Sequence, residues 1–174
     1  MLGTPFIFVL LGASTWATPL QKRDAATVLI DLYGIKTGIA ALSTTLDGFD
    51  GTLNGAVNVE YAELDIEDGL NQAINDVVAS SSFATASSTR VTNSVTGLKP
   101  DILAILDKLV NNKPGFTSAG VVSVVKANLQ SLQNLTNVLS TEIQAKVTTA
   151  DKSTIGSGIV EVDAAYSSAT AAFL

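Results

Sequence analysis

Apolar residues recur at Val28, Leu32, Ile35, Ile39, Leu42, Leu46 and Phe49 in alternating steps of four and three. That spacing fits a backbone of 3.6 residues per turn and paints a single stripe along one side of it, so the segment reads as an amphipathic helix that must bury one face. Comparable stripes follow in each later segment bounded by turn signals. The chain is therefore expected to be all-α, a single-domain antiparallel bundle of about five amphipathic helices joined by short connections.

The boundaries come from capping and breaking residues. The first helix is expected from Asp24, a good N-cap, to about Phe49, where Asp47-Gly-Phe-Asp-Gly51 supplies turn residues. A second, from about 55 to 80, carries Val59, Ile66, Leu70, Ile74 and Val77 and ends in Ser80-Ser81-Ser82. The third starts near Thr85 and keeps Val91, Val95, Leu98, Ile102, Ile105 and Leu109 in register across Pro100, which reads as one helix kinked by the proline. Lys113-Pro-Gly115 is expected to stop it. The fourth begins at Thr117 or Ser118 and presents Val122, Val125, Leu129, Leu132, Leu139 and Ile143. The fifth begins at the N-cap Asp151 and presents Ile155, Ile159, Val162, Tyr166 and Phe173.

The start of the chain reads as an address. Phe6 to Leu11 form a short apolar core, and Thr15-Trp16-Ala17 places small residues where a signal peptidase cuts, giving an expected signal peptide over 1–17. The core is too short to span a bilayer, so no integral membrane association is expected. Lys22-Arg23 reads as a processing site closing a short pro-segment, 18–23, the alternative being two solvated charges in a leader. The binding domain is then 24–174, secreted to the extracellular region or the cell wall. It carries eight basic side chains, the ten of the whole chain less Lys22 and Arg23, against sixteen acidic, a net charge of −8. That balance and the lack of any basic cluster argue against nucleic acid. With no cysteine, stability rests on packing.

Catalytic equipment is sparse. Without histidine a Ser-His hydrolase is excluded, and no other constellation of nucleophile, base and oxyanion donors is evident, so the chain is expected not to be an enzyme. No cofactor motif and no metal site are expected. Glu60, Glu63, Glu67 and Asp68 share one stretch of the second helix and read as a solvated acidic face, their spacing fitting neither an EF-hand nor a glycosidase pair. Asn134-Leu-Thr136 is an N-glycosylation sequon, with Asn134 pointing away from the apolar stripe.

A leader, a dibasic pair followed by Asp24-Ala-Ala-Thr-Val-Leu-Ile-Asp-Leu32, and the segment Leu98-Lys-Pro-Asp-Ile102 with Leu106, Leu109 and Lys113 before Phe116 together resemble the fungal family of hydrophobic surface-binding protein A and antigenic cell wall galactomannoproteins. The resemblance covers the whole of 24–174. It implies a secreted or wall-associated helical domain that adsorbs to hydrophobic surfaces or binds fatty acids between its helices. The chain departs from anchored members in lacking a long Ser/Thr-rich tail and a C-terminal attachment signal.

Small residues beside the stripes bear on whether such a ligand fits. Gly34, Gly38, Ala41, Ala62, Gly69, Ala164, Ala165 and Ala169 either let backbones approach or leave space; the resemblance implies space. A fatty acid or similar amphiphile is then expected along the interior, lined by Leu32, Ile35, Ile39, Leu70, Ile74, Val95, Leu98, Leu129, Leu132 and Val162. Ser94 and Thr136, hydroxyls that interrupt apolar faces, are candidates for its head group, the alternative for each being a bond to its own helix backbone. Hydrophobic surfaces, a recruited secreted hydrolase and cell wall glycans are the further partners. The competing reading is a structural, antigenic wall mannoprotein with a filled core and no small-molecule ligand.

Overall fold

Asp24 has extended backbone and its carboxylate accepts the N–H groups of Ala26 and Thr27, so the first helix starts on the expected cap. It is also where the described part of the protein begins: the computed structural model describes residues 24–174, and the expected leader and pro-segment lie outside the described residues. Seven helices follow in order: α1 (Ala25–Asp47), α2 (Leu53–Ala79), α3 (Thr85–Thr96), α4 (Lys99–Asn111), α5 (Lys113–Ala119), α6 (Val122–Gln144) and α7 (Thr149–Ala172). There is no strand among the described residues.

The class is as expected, but the count of five is corrected to seven. Pro100 has no N–H to donate to the preceding turn, and the strain is relieved by ending α3 rather than bending it. Gly97 and Leu98 keep helical dihedrals as a two-residue turn, and Pro100 falls in the first turn of α4, where a missing N–H costs nothing. The stripe stays in register across the break, with Val91, Leu98, Ile102, Ile105 and Leu109 buried on both sides. Lys113-Pro-Gly115 opens the short α5 instead of a loop, again with proline in the first turn, and Gly120 at φ +75° ends it. The fourth expected helix therefore starts at Val122, not at Thr117 or Ser118. The cap of α7 is Thr148 rather than Asp151: the Thr148 hydroxyl accepts from the Asp151 N–H, and the Asp151 side chain accepts the hydroxyls of Thr148 and Ser88. Buried Ser88 thereby ties the start of α3 to the start of α7.

Counting α3 and α4 as one span, five spans close into a ring: α1 packs on α2, α2 on α6, α6 on α7, α7 on α3 and α4, and those on α1. Consecutive spans run in opposite directions, yet ring order differs from chain order. Lys36–Asp101 and Lys108–Asp47 pair α1 with α4 in the same direction, and Ser88–Asp151 with Lys99–Glu161 does so for α3/α4 and α7. Along α2 and α6, Asn128 meets Glu60 and Glu63 while Lys146 reaches the carbonyls of Val78 and Ser80, so these also run together.

One end of the ring is closed by aromatic packing. Phe116, fully buried, stacks on Phe49 at 4.7 Å and lies tilted to Phe173 at 6.2 Å. Along the α1–α2 seam two of the small residues serve close approach: a Cβ on Gly38 would lie 3.1 Å from Ile66, and one on Gly69 3.4 Å from Ile35. α1 is long and apolar enough to cross a bilayer by length and composition. Here its stripe, Val28 to Leu46, is buried in the ring.

Candidate functional site

A ring of five rods leaves an axial space unless large side chains fill it, and here they do not. A cavity of about 280 Å³ lies inside, near the lower end of the ~300–1,000 Å³ usual for small-molecule sites. Its walls come from every span of the ring: Leu32, Ile35, Ile39 and Leu42 of α1, Ile66 and Leu70 of α2, Val95 and Leu98 at the α3–α4 break, Ile102, Ile105, Leu106 and Leu109 of α4, Leu132, Leu139 and Ile143 of α6, and Ile155, Ile159, Val162 and Tyr166 of α7. From Ile155 to Tyr166 the lining extends about 17 Å along the axis at about 1.5 Å per residue. The space is long, narrow and apolar.

Of the residues expected to line a ligand, Leu32, Ile35, Ile39, Leu70, Val95, Leu98, Leu132 and Val162 border this cavity. Leu129 and Ile74 do not. Leu129 is fully buried one turn before Leu132, and Ile74, half-buried one turn beyond Leu70, packs against the core. The two hydroxyl candidates separate as well. Thr136 borders the cavity; Ser94 is half-buried and does not, because it lies one residue off the Val91–Val95–Leu98 face. Asn134 is exposed on α6.

Polar groups on the wall fall into two sets, apart from Ser140 of α6, a buried hydroxyl that accepts from Gln144 Nε2. Tyr166, buried on α7, shares a hydrogen bond with Thr136, and burial pushes its phenol up to about 12 with a further rise from the charge of Glu63. The second set, Thr96, Lys99, Thr154, Ser157, Gly158 and Glu161, lies along the seam between α3/α4 and α7. Thr154, Ser157 and Glu161 are exposed while also bordering the cavity, so this seam is its mouth. Lys99 Nζ donates to Glu161 Oε2 across it at 2.8 Å. With side chains 33% and 61% exposed, such a pair is worth only ~0–1 kcal/mol, a closure that opens readily. A Cβ on Gly158 would meet nothing within 4 Å, so there is open space beside this residue of the rim.

Sequence reasoning missed the rim. Lys99 stands in the proline-centred segment and Glu161 next to Val162, but their meeting depends on the relative register of α4 and α7, which no local pattern encodes. It also misplaced Glu63. The solvated acidic face is corrected for this residue, which is 2% exposed and sits on the buried stripe between Val59 and Ile66. Asn128 Nδ2 donates to Glu63 Oε2 at 2.9 Å and to Glu60 Oε2 at 2.6 Å, leaving Glu63 Oε1 without a partner. Burial raises the Glu63 carboxyl to about 7, opposed by the Asn128 bond and reinforced by Glu60 and Glu67. It borders a second, smaller cavity of about 120 Å³ with Leu53, Val57, Phe116 and Val124.

A family model described as hydrophobic surface binding protein A matches residues 25–145. Among solved structures, that of AfMP4p, an Aspergillus antigenic mannoprotein, in complex with palmitic acid is 45% identical, covers 87% of this chain and 100% of its own, and has a TM-score of 0.86. Ligand binding domain 2 of Penicillium marneffei MP1 protein, complexed with multiple arachidonic acids, is 16% identical over 88% of this chain and 97% of its own, TM-score 0.80. Domain 1 of that protein, complexed with arachidonic acids, is 17% identical over 86% and 99%, TM-score 0.80. At those identities the two MP1 domains show the fold alone. No curated protein matches the chain.

Proposed function

This chain belongs to the hydrophobic surface binding protein A family, and from that premise we propose that it is a secreted, non-catalytic protein that holds a fatty acid or similar single-chain amphiphile inside its helical ring. The observation that carries the reading is the long apolar cavity with a polar mouth. The palmitic acid held by the 45% identical AfMP4p supports the ligand class. The cavity also argues against a filled core. Each methylene taken from water stabilises the complex by about 0.8 kcal/mol, against about 1 kcal/mol for a neutral hydrogen bond such as Thr136 can offer. Chain length accordingly outweighs any single polar contact. The leader-like residues 1–17 support export.

Adsorption to apolar surfaces is the second part of the proposal, and a different face supports it. Leu53, Val57, Tyr61 and Leu64 form a helical stripe on α2 that is 60, 42, 65 and 43% exposed. Such a stripe on the outside of a bundle offers apolar area without opening the ring.

The experiment that tests the cavity is native mass spectrometry of the protein, followed by titration with saturated fatty acids of increasing length. Copurifying lipid and affinity that climbs with chain length are expected. Affinity independent of length would refute interior binding.

A further inference from the structure

We propose that Lys99 is the carboxylate anchor at the mouth of the cavity, held ready by Glu161 and released to an incoming anionic head group. This rests on the acyl-cavity reading above and names the group that sets head-group preference there. Lys99 is the only cationic side chain among the described residues bordering the cavity. The hydroxyls beside it are already engaged: Thr96 donates to the Thr92 carbonyl, Thr154 to that of Ala150 and Ser157 to that of Ser153. Each therefore has its proton committed to its own helix, and none has a positive charge to offer.

The remaining polar groups on the wall, Ser140 and the Tyr166–Thr136 pair, carry no positive charge and suit a carboxylate poorly. Tyr166 and Thr136 bond each other, and Tyr166 is buried, so a carboxylate taken up there would lose its water. A protein of net charge −6 repels anions at long range, so capture of a fatty acid needs a local cation placed where the head group stays wet. Lys99 meets both conditions, being partly exposed at the rim with its ammonium 2.8 Å from Glu161 Oε2. The ammonium exchanges one carboxylate for another of the same charge and geometry. Gly158 also borders the cavity, and a Cβ there would meet nothing within 4 Å.

The test compares dodecanoate with 1-dodecanol, equal in chain length and different in head-group charge, by isothermal titration calorimetry on delipidated protein. Lys99→Met is expected to weaken dodecanoate by about tenfold, the scale of one charge-assisted hydrogen bond, and to move 1-dodecanol by less than about twofold. Lys99→Arg is expected to restore the preference. Glu161→Gln, which removes the competitor, is expected to tighten dodecanoate by about twofold to threefold. Added salt is expected to weaken dodecanoate in the parent and not in Lys99→Met. If the parent binds both probes and Lys99→Met leaves their ratio unchanged, the anchor is refuted while the acyl cavity stands. If Lys99→Met weakens both equally, the residue acts on the fold and the anchor is again refuted. If the parent binds neither, the cavity reading falls and the anchor with it.

Discussion

Replacing Glu63 by glutamine tests a costly group in the interior. The carboxyl is 2% exposed, has one oxygen without a partner and ionises at about 7 in the folded protein against 4.5 as an ordinary glutamate. Burial favours the neutral acid, so between these two values the folded state binds more protons than the unfolded state, and stability falls as pH rises through that window. Below pH 4.5 both states are protonated and nothing is lost. Above 7 the full difference is felt, about 2.5 pKa units or about 3 kcal/mol at about 1.36 kcal/mol per unit. That is a large share of the ~5–15 kcal/mol that holds a domain together. Glutamine keeps an acceptor for Asn128 and cannot ionise. Urea unfolding followed by circular dichroism at pH 5 and pH 8 should therefore find Glu63→Gln close to the parent at pH 5 and about 3 kcal/mol more stable at pH 8. Asp50 and Asp163, whose hydrogen bonds to Thr52 and to Asn137 and Gln133 lower their carboxyls, lose their contribution only as pH falls below the ordinary aspartate range, outside this window. An equal difference between parent and variant at the two pH values would refute the reasoning.

Further outcomes follow from other residues. Leu98→Trp and Leu132→Trp place an indole on the cavity wall and should weaken dodecanoate at least about tenfold while circular dichroism stays helical, the loss of two or more buried methylenes; folded variants that bind as the parent does would remove the ligand from the interior. Phe116→Ala deletes the fully buried ring between Phe49 and Phe173 and should cost about 3–5 kcal/mol in urea unfolding; a loss under about 1 kcal/mol would mean that the end of the ring repacks. Tyr61→Glu, on the exposed stripe of α2, should shorten retention on a hydrophobic resin and leave dodecanoate binding unchanged, and unchanged retention would move adsorption to another face.

What could be read from the sequence was the period, and what could not was the register between periods. The stripe from Val28 to Leu46 is buried residue for residue, because a 3.6-residue repeat determines a face whatever it packs against. Pro100 was legible as a disturbance, but whether it bends a helix or divides it depends on where the next turn can begin. Gly97 made division easy. Glu63 was lost because its neighbours Glu60, Glu67 and Asp68 make the stretch look uniformly polar, although 63 falls in the four-three step between Val59 and Ile66. A charged residue in phase with a stripe is a stronger signal than the charge density around it.

The division of the small residues bears on how such a ring holds a ligand at all. Gly38 and Gly69 draw α1 against α2 at a seam where a methyl group would press on Ile66 and Ile35. Gly158 faces nothing within 4 Å, on the seam where α7 meets the α3–α4 break. Glycine thus draws one seam together and leaves open space at one position on another. The seam that holds Gly158 is also the one interrupted by a helix break and crossed by a partly exposed ion pair. With the helix break and an ion pair worth little both on this seam, entry to the cavity should proceed there while the α1–α2 seam stays shut. Gly158→Phe would put a ring into the open space at the rim and slow both uptake and release without changing the apolar lining, a kinetic effect that stopped-flow exchange of a fluorescent fatty acid separates from any change in affinity; unchanged exchange rates would move entry to another seam.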